Sequence, residues 1–126
     1  MTTTPDDVAS KYAPYVAYAR QQVALRQQQA AARYQAAWHT ARQIADFLRQ
    51  TYQPQEIIVF GSLVHPEIFG LHSDIDIAVK GIAWPEYLRA WNEIEAQFPA
   101  FEIDLIDIST VSELMRQRIE EEGKRL

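Results

Sequence analysis

The first fifty residues carry an apolar pattern that predicts a long helix. Residues 6–50 are rich in Ala, Gln and Arg and lack glycine. Pro5 and Pro14 are the breakers near their start, so we expect one short helical turn followed by a long helix. Apolar side chains recur at helical spacing near its end and predict the face that packs on the rest of the protein: Tyr34, Trp38, Ala41, Ala45 and Leu48. A helix over residues 15–50 would extend about 54 Å, so part of it should project as a partner-binding arm or as a solvated extension.

Beyond Pro54 the pattern becomes that of a mixed α and β domain. A nearly continuous apolar run at residues 56–60, ended by a glycine, predicts a buried strand. Alternating stretches at residues 73–80 and 101–108 predict two more strands. The short connection between the first two strands favours an antiparallel pair over a helical crossover.

Two further helices flank these strands in the sequence. Apolar positions at helical spacing follow Pro85 and stop at Pro99. Thr110-Val-Ser-Glu113 has the form of a capping box and predicts a helix that ends at Gly123. The elements together predict an α+β fold: a small mixed or antiparallel sheet of three or more strands with flanking helices, preceded by the long helix.

Composition fits a single small globular domain with an extension. The chain has 126 residues, 48% of them hydrophobic, a net charge of −5 and no cysteine. We divide it into a helical extension at residues 1–50, packed on the domain at its end, and a domain at residues 51–126. The acidic balance opposes stable nucleic-acid binding, and the lack of cysteine excludes thiolate metal sites. Acids near the N-terminus and the lack of a membrane-length apolar run predict a cytoplasmic protein without membrane contact.

Two carboxylates, Asp74 and Asp76, begin the second predicted strand. Alternation along a strand places both side chains on one face, about 7 Å apart along the backbone. Such a pair favours a cation between the two charges, and Mg²⁺ with phosphate oxygens as further ligands meets that need. Asp104 in the third predicted strand can join them as a metal ligand or general base if the strands are neighbours. Because the Gly61-Ser62 turn lets backbone amides approach phosphate oxygens, the set predicts phosphoryl or nucleotidyl transfer.

Together these segments resemble the nucleotidyltransferase signature of the DNA polymerase β superfamily, in its minimal (MNT) branch. The segments that carry the resemblance are Phe60-Gly61-Ser62, Ser73-Asp74-Ile75-Asp76 and Ile103-Asp104-Leu105-Ile106. It implies that Asp74, Asp76 and Asp104 are catalytic and bind two Mg²⁺ ions, while Gly61 and Ser62 hold the triphosphate of ATP. Many minimal members are antitoxins that transfer AMP to a tyrosine of a HEPN ribonuclease toxin, so the resemblance implies an adenylylating antitoxin with a HEPN partner.

Departures from that signature keep other readings open. Eleven residues separate Ser62 from Asp74, one more than is common, and Leu63-Val64-His65-Pro66 stands where members often carry arginine, small residues and glycine. His65, His72 or Lys80 are candidates for the missing cation. The altered loop motivates an alternative function, a non-catalytic antitoxin or binding module that neutralises its partner by contact through the N-terminal helix.

Two further alternatives concern the carboxylates themselves. Glu102 and Asp107 lie in the same predicted strand as Asp104 and compete with it for the third position. Glu102 shares its face but sits nearer the start of the strand, whereas Asp107 points the other way. A metal-dependent nuclease built on these carboxylates is a third function, disfavoured by the acidic surface and by a Gly-Ser turn that it would not use.

Overall fold

The computed structural model describes the backbone of residues 5–126 and the side chains of residues 9–126. Its elements in chain order are α1 (Pro5–Thr51), β1 (Glu56–Phe60), a 3₁₀ turn (Gly61–Val64), β2 (Ile75–Lys80), α2 (Glu86–Gln97), β3 (Ile103–Asp107), α3 (Glu113–Glu122) and β4 (Lys124–Arg125). Within the described part of the chain, no helix combines the length and the apolar character needed to cross a membrane.

The N-terminal helix is one continuous element and not the short turn plus helix that the two prolines predict. α1 runs through Pro14 and spans 47 residues, or about 70 Å. Proline lacks an N–H and crowds the carbonyl four residues earlier, but its fixed φ suits a helix. That carbonyl belongs to the exposed Ser10, where water can hydrogen-bond to it. The last four turns of α1 pack on the domain, while Tyr15 near its start is 71% exposed.

The sheet has four strands in the order β3-β2-β1-β4. β1 is antiparallel to β2 and β4, as the short connection predicted for the first pair, and β3 is parallel to β2. The sheet is therefore mixed, and the fold prediction is confirmed. The two-residue β4 was not anticipated, because so short a strand leaves no alternation in the sequence.

The two faces of the sheet have different covers. One face is buried under the end of α1 and under α2, and its apolar side chains are Ile57, Val59, Ile75, Ile77, Val79, Ile103 and Leu105. The other face is covered by α3, where Ile58, Ala78, Ile108 and Ile119 form a smaller cluster. Asp76 lies between Ile75 and Ile77, so its side chain points to the α3 face, beyond that smaller cluster.

Side-chain hydrogen bonds fix the two C-terminal helices. On α2, the Tyr87 hydroxyl donates to the carbonyl of Leu105, and Trp91 Nε1 donates to the carbonyl of Ile103 at 3.1 Å. The cap of α3 lies two residues after Thr110, the cap that the predicted capping box implied. This cap is Ser112, whose hydroxyl oxygen accepts from the Met115 amide at 3.2 Å.

Candidate functional site

The strand register brings two predicted site residues side by side. Asp76 of β2 is the register partner of Asp104 of β3 and, on its other side, of Phe60 of β1. Paired residues on neighbouring strands direct their side chains to the same face of a sheet, so both carboxylates face the α3 side. The condition set by the sequence, that the second and third strands are neighbours, is met.

Asp76 is the electrostatic centre of this group. Its side chain is half-buried, and burial is the main cause that raises its pKa from 3.8 to about 6. The charge of Asp104, a hydrogen bond with Asp104 and the charge of Asp74 raise the pKa further. Asp104 itself is exposed. A carboxylate in this setting is stabilised by a nearby cation.

The Gly61 turn faces these carboxylates. Gly61 has φ +72°, a conformation that side chains with a Cβ rarely adopt. A Cβ at this position would collide with the Asp76 carboxylate. Two independent constraints thus require glycine here, and the close approach places the backbone of the turn directly beside the Asp76 carboxylate.

Asp74 stands slightly apart from the pair. It precedes the first residue of β2 and is partly exposed, and it is the weakest of the named influences on Asp76. Among the described residues, no three His, Asp or Glu side chains are already gathered closely enough to hold one metal ion. The Asp76–Asp104 pair supplies the hard oxygen ligands that Mg²⁺ prefers, and Asp74 is the nearest further carboxylate that the sequence nominated.

A cavity of about 490 Å³ adjoins the Gly61 turn, a size common for small-molecule sites. Its walls come from the turn, the following loop and α3, and include Gly61, Ser62, His65, Ile68, Met115 and Arg118. Arg118 was missed from the sequence. Met115, Arg118, Ile119 and Glu122 have the i, i+3, i+4, i+7 spacing of one helix face, which was the available signal.

Comparison with known proteins gives this geometry a family. A sequence model described as "Polymerase beta, Nucleotidyltransferase" matches residues 42–126, which contain every strand and the whole carboxylate group. The chain belongs to the polymerase beta nucleotidyltransferase family. The resemblance that the sequence motifs carried is thereby confirmed. No curated protein sequence matches the chain significantly.

Solved structures from toxin-antitoxin complexes are similar in fold to this nucleotidyltransferase. A mutant of the MntA-HepT toxin-antitoxin complex matches with 27% identity and a TM-score of 0.55, covering 68% of this chain and 69% of that one. A toxin-antitoxin structure with AMP-PNP matches with 25% identity and a TM-score of 0.56, covering 68% and 70%. The complex of a tri-AMPylated Shewanella oneidensis HEPN toxin with its MNT antitoxin matches with 22% identity and a TM-score of 0.52, covering 71% and 70%. The last likeness shows the fold alone.

The cations that this nucleotidyltransferase could use are distributed unequally. His65 lines the cavity, and its ring nitrogens lie 3.5 Å from carboxylates of Glu67 and Glu122. His72 lies beside Asp74. Lys80 lies at the opposite end of β2 from Asp76, so it does not reach the site.

The two carboxylates that competed with Asp104 are also placed. Asp107 lies at the far end of β3, where its Oδ1 accepts hydrogen bonds from the Ser109 amide and hydroxyl at 3.0 and 2.7 Å. Glu102 is exposed just before β3, and its backbone carbonyl accepts from the Ile75 amide at 3.0 Å. Asp104 is the one of the three that is paired with Asp76.

Proposed function

We propose that this nucleotidyltransferase transfers AMP from ATP to a tyrosine of a HEPN ribonuclease toxin, in a Mg²⁺-dependent reaction, and so acts as its antitoxin. The observation that carries the proposal is the Asp76–Asp104 pair facing the Gly61 turn. Support comes from similar chains in a mutant MntA-HepT toxin-antitoxin complex and in a toxin-antitoxin structure with AMP-PNP.

The roles follow from the positions of the side chains. Asp74, Asp76 and Asp104 would hold two Mg²⁺ ions, which neutralise charge on the phosphates and favour attack at phosphorus. Gly61 and Ser62 bind the triphosphate, since glycine allows close approach and the hydroxyl adds a donor. The adjoining cavity takes the base and sugar, and Arg118 on its α3 wall provides a cation there.

A protein substrate suits the position of the carboxylates. Residues 51–126 build a four-stranded sheet and two helices, and β3 lies at one edge of that sheet. Asp104 is exposed at the edge of the sheet, so a hydroxyl carried on another protein can approach it. A partner that brings its own tyrosine therefore completes the site.

Labelled ATP tests this proposal directly. The chain should be incubated with Mg²⁺ and the HEPN protein encoded beside it, and the label should pass to that protein. Asp74→Asn and Asp76→Asn should abolish labelling, because each substitution removes a charged oxygen ligand while keeping the shape. Asp107→Asn, at the opposite end of the sheet, is the matched control and should transfer normally. Full labelling by both site variants would exclude this function for these residues.

A second function has a specific observation in its favour. The part of α1 that projects beyond the domain exposes apolar side chains, and they include Tyr12, Tyr15, Val16, Val23 and Leu25. Residues 9–45 contain no acid and five cations, namely Lys11, Arg20, Arg26, Arg33 and Arg42. This arm could neutralise an acidic partner by contact alone, as the alternative reading of the sequence proposed.

The two functions separate when the arm and the carboxylates are changed independently. Tyr12, Val16 and Val23 lie on one helix face, because spacings of four and seven residues are close to whole turns. Replacing all three by serine should abolish neutralisation under either function if the arm holds the partner. Asp76→Asn should abolish neutralisation only if transfer is required, so a neutralising Asp76→Asn protein would favour contact alone.

A further inference from the structure

A second recess lies on the β3 side of the carboxylates. It has a volume of about 400 Å³ and is lined by Arg33, His72, Asp74, Ala100, Phe101 and Glu102, and we call it the Phe101 recess. The Gly61 turn follows β1, whereas this recess adjoins the start of β3, and β2 lies between them in the sheet. Of the three proposed catalytic carboxylates, Asp74 lines this recess, on the side of the sheet away from the Gly61 turn.

Arg33 joins the N-terminal helix to both walls of the recess. Its Nη2 donates to the carbonyl of Ser73 at 3.1 Å, immediately before Asp74. Its guanidinium carbon lies 4.5 Å from the centre of the Phe101 ring, within cation–π range. The helix therefore contributes a wall to this recess and fixes the segment that carries Asp74.

One donor of Arg33 is left over. Its Nε is buried and has no hydrogen-bond partner within the described part of the chain. A bound segment would meet this guanidinium where it lines the recess, and there only Nη2 has a protein acceptor among the described residues, so further N–H donors remain for a ligand. A backbone carbonyl or a carboxylate of a bound protein segment has the required chemistry.

The direction of attack points to the same recess. In nucleotidyl transfer the acceptor oxygen bonds to the α-phosphorus, the bond from that phosphorus to the bridging oxygen breaks, pyrophosphate leaves, and the hydroxyl proton passes to a base. Attacking and leaving oxygens lie roughly in line on opposite sides of the phosphorus. With the triphosphate at the Gly61 turn, the acceptor has to enter from the β3 side.

We infer that the Phe101 recess receives the hydroxyl-bearing segment of the protein substrate, and that Arg33 binds an acceptor group of that segment. The inference rests on the proposed function and adds the arm as one wall of the acceptor site. Segments with acidic residues that lie against the helix, and not against Asp74 or Glu102, are the class that fits, because the helix leading to the recess carries cations and no acid over residues 9–45.

The course of the helix supports this occupant. Val23, Tyr34 and Ala45 are eleven residues apart, close to three full turns, so they lie along one side of α1. Tyr34 and Ala45 pack on the domain on that side. Val23, 53% exposed, continues the same side beyond the domain edge, past Arg33. A substrate bound in the recess would therefore also contact the side of α1 that carries Val23.

Blocking the recess tests the inference without touching Asp74 or Arg33. Ala100 and Ala83 are both exposed, and each lines a cavity of about 400 Å³, one beside Asp74 and one at the opposite end of the sheet. Ala100→Trp should raise the KM for the HEPN protein about tenfold or more, the loss expected when an anchoring contact is removed. It should leave the KM for ATP unchanged, and Ala83→Trp should match the wild type in both constants.

Arg33 gives a second, independent measurement. Arg33→Met should raise the KM for the HEPN protein about tenfold, as expected for a lost charge-assisted hydrogen bond, while Arg42→Met on the same helix should not. Arg33→Lys should recover only part of the affinity, since lysine lacks the forked donors. A fall in kcat alone for Arg33→Met would show that Arg33 only positions the Asp74 segment, and would overturn its role in binding the acceptor.

The outcomes separate this inference from the function beneath it. If the wild type transfers no nucleotide to the HEPN protein, the proposed function fails and the acceptor site falls with it. If the wild type transfers and neither Ala100→Trp nor Arg33→Met changes the KM for the HEPN protein, the function stands and the recess is not the acceptor site.

Discussion

Replacing Asp76 by asparagine should stabilise the metal-free protein at neutral pH while it abolishes nucleotide transfer. In the folded chain the pKa of Asp76 is raised from 3.8 to about 6 by burial, by Asp104 and by Asp74. That shift of roughly two units corresponds to about 3 kcal/mol, and the half-exposed side chain reduces this to about 1.5 kcal/mol. Asparagine keeps the shape and carries no charge, so the variant should gain about 1.5 kcal/mol, or about 5 °C in Tm.

The pH dependence fixes the sign of this effect. Because the folded pKa lies above the unfolded value, the folded protein holds a proton that the unfolded chain has lost between pH 3.8 and about 6. The contribution of this bound proton to stability is complete below pH 3.8 and is lost as the pH rises through about 6. The wild type and Asp76→Asn should therefore have equal stability near pH 3.5, and the variant should be more stable from pH 6.5 upward.

Urea unfolding in EDTA from pH 3.5 to 8, followed by circular dichroism, measures this difference. Asp107→Asn, at the other end of the sheet, is the control for a general effect of removing negative charge. Adding Mg²⁺ at pH 8 should raise the stability of the wild type and leave Asp76→Asn unchanged. If Asp76→Asn is less stable than the wild type at pH 8 without metal, the carboxylate is held by favourable contacts and the reasoning is wrong.

Three further substitutions test the surrounding framework. Gly61→Ala should abolish ATP binding measured by calorimetry, because its Cβ meets the Asp76 carboxylate, while Gly70→Ala, whose Cβ meets nothing within 4 Å, should bind normally. Ser112→Ala should lower the free energy of unfolding by about 1 kcal/mol in urea, since it removes the cap of α3. Tyr87→Phe leaves the Leu105 carbonyl unpaired and should cost about 1–2 kcal/mol in the same assay.

The sequence predicted the local parts of this fold well. The bounds of β1 match the predicted strand, because its apolar run ends at a glycine that the turn requires. The second and third predicted strands begin two residues too early, because the alternation in the sequence starts two residues before the strand pairing does. The sequence did not determine that the second and third strands are neighbours. The pairing of Asp76 with Asp104 joins residues far apart in the chain, and local patterns carry no information about it.

The features that sequence reasoning missed depend on distant contacts. The hydrogen bond from Arg33 to Ser73 joins residues forty positions apart, and no pattern near either residue in the sequence predicts it. The Arg118 wall of the cavity beside the Gly61 turn depends on how α3 packs against that turn. The cap is Ser112, two residues after the predicted Thr110, because Thr110 instead donates its hydroxyl to the Asp107 carbonyl at 2.8 Å.

The start of the family match divides the residues of the carboxylate site from the part of α1 that carries Arg33. The family match begins at residue 42, so the strands, the carboxylates and the Gly61 turn belong to the part shared with other nucleotidyltransferases. Arg33 lies outside that match, yet it contacts the segment before Asp74 and the Phe101 ring. A shared core that binds the nucleotide and an added helix that shapes the opposite recess would let acceptor choice change without altering the carboxylates. The KM for the acceptor should therefore respond to substitutions on α1, and the KM for ATP should not.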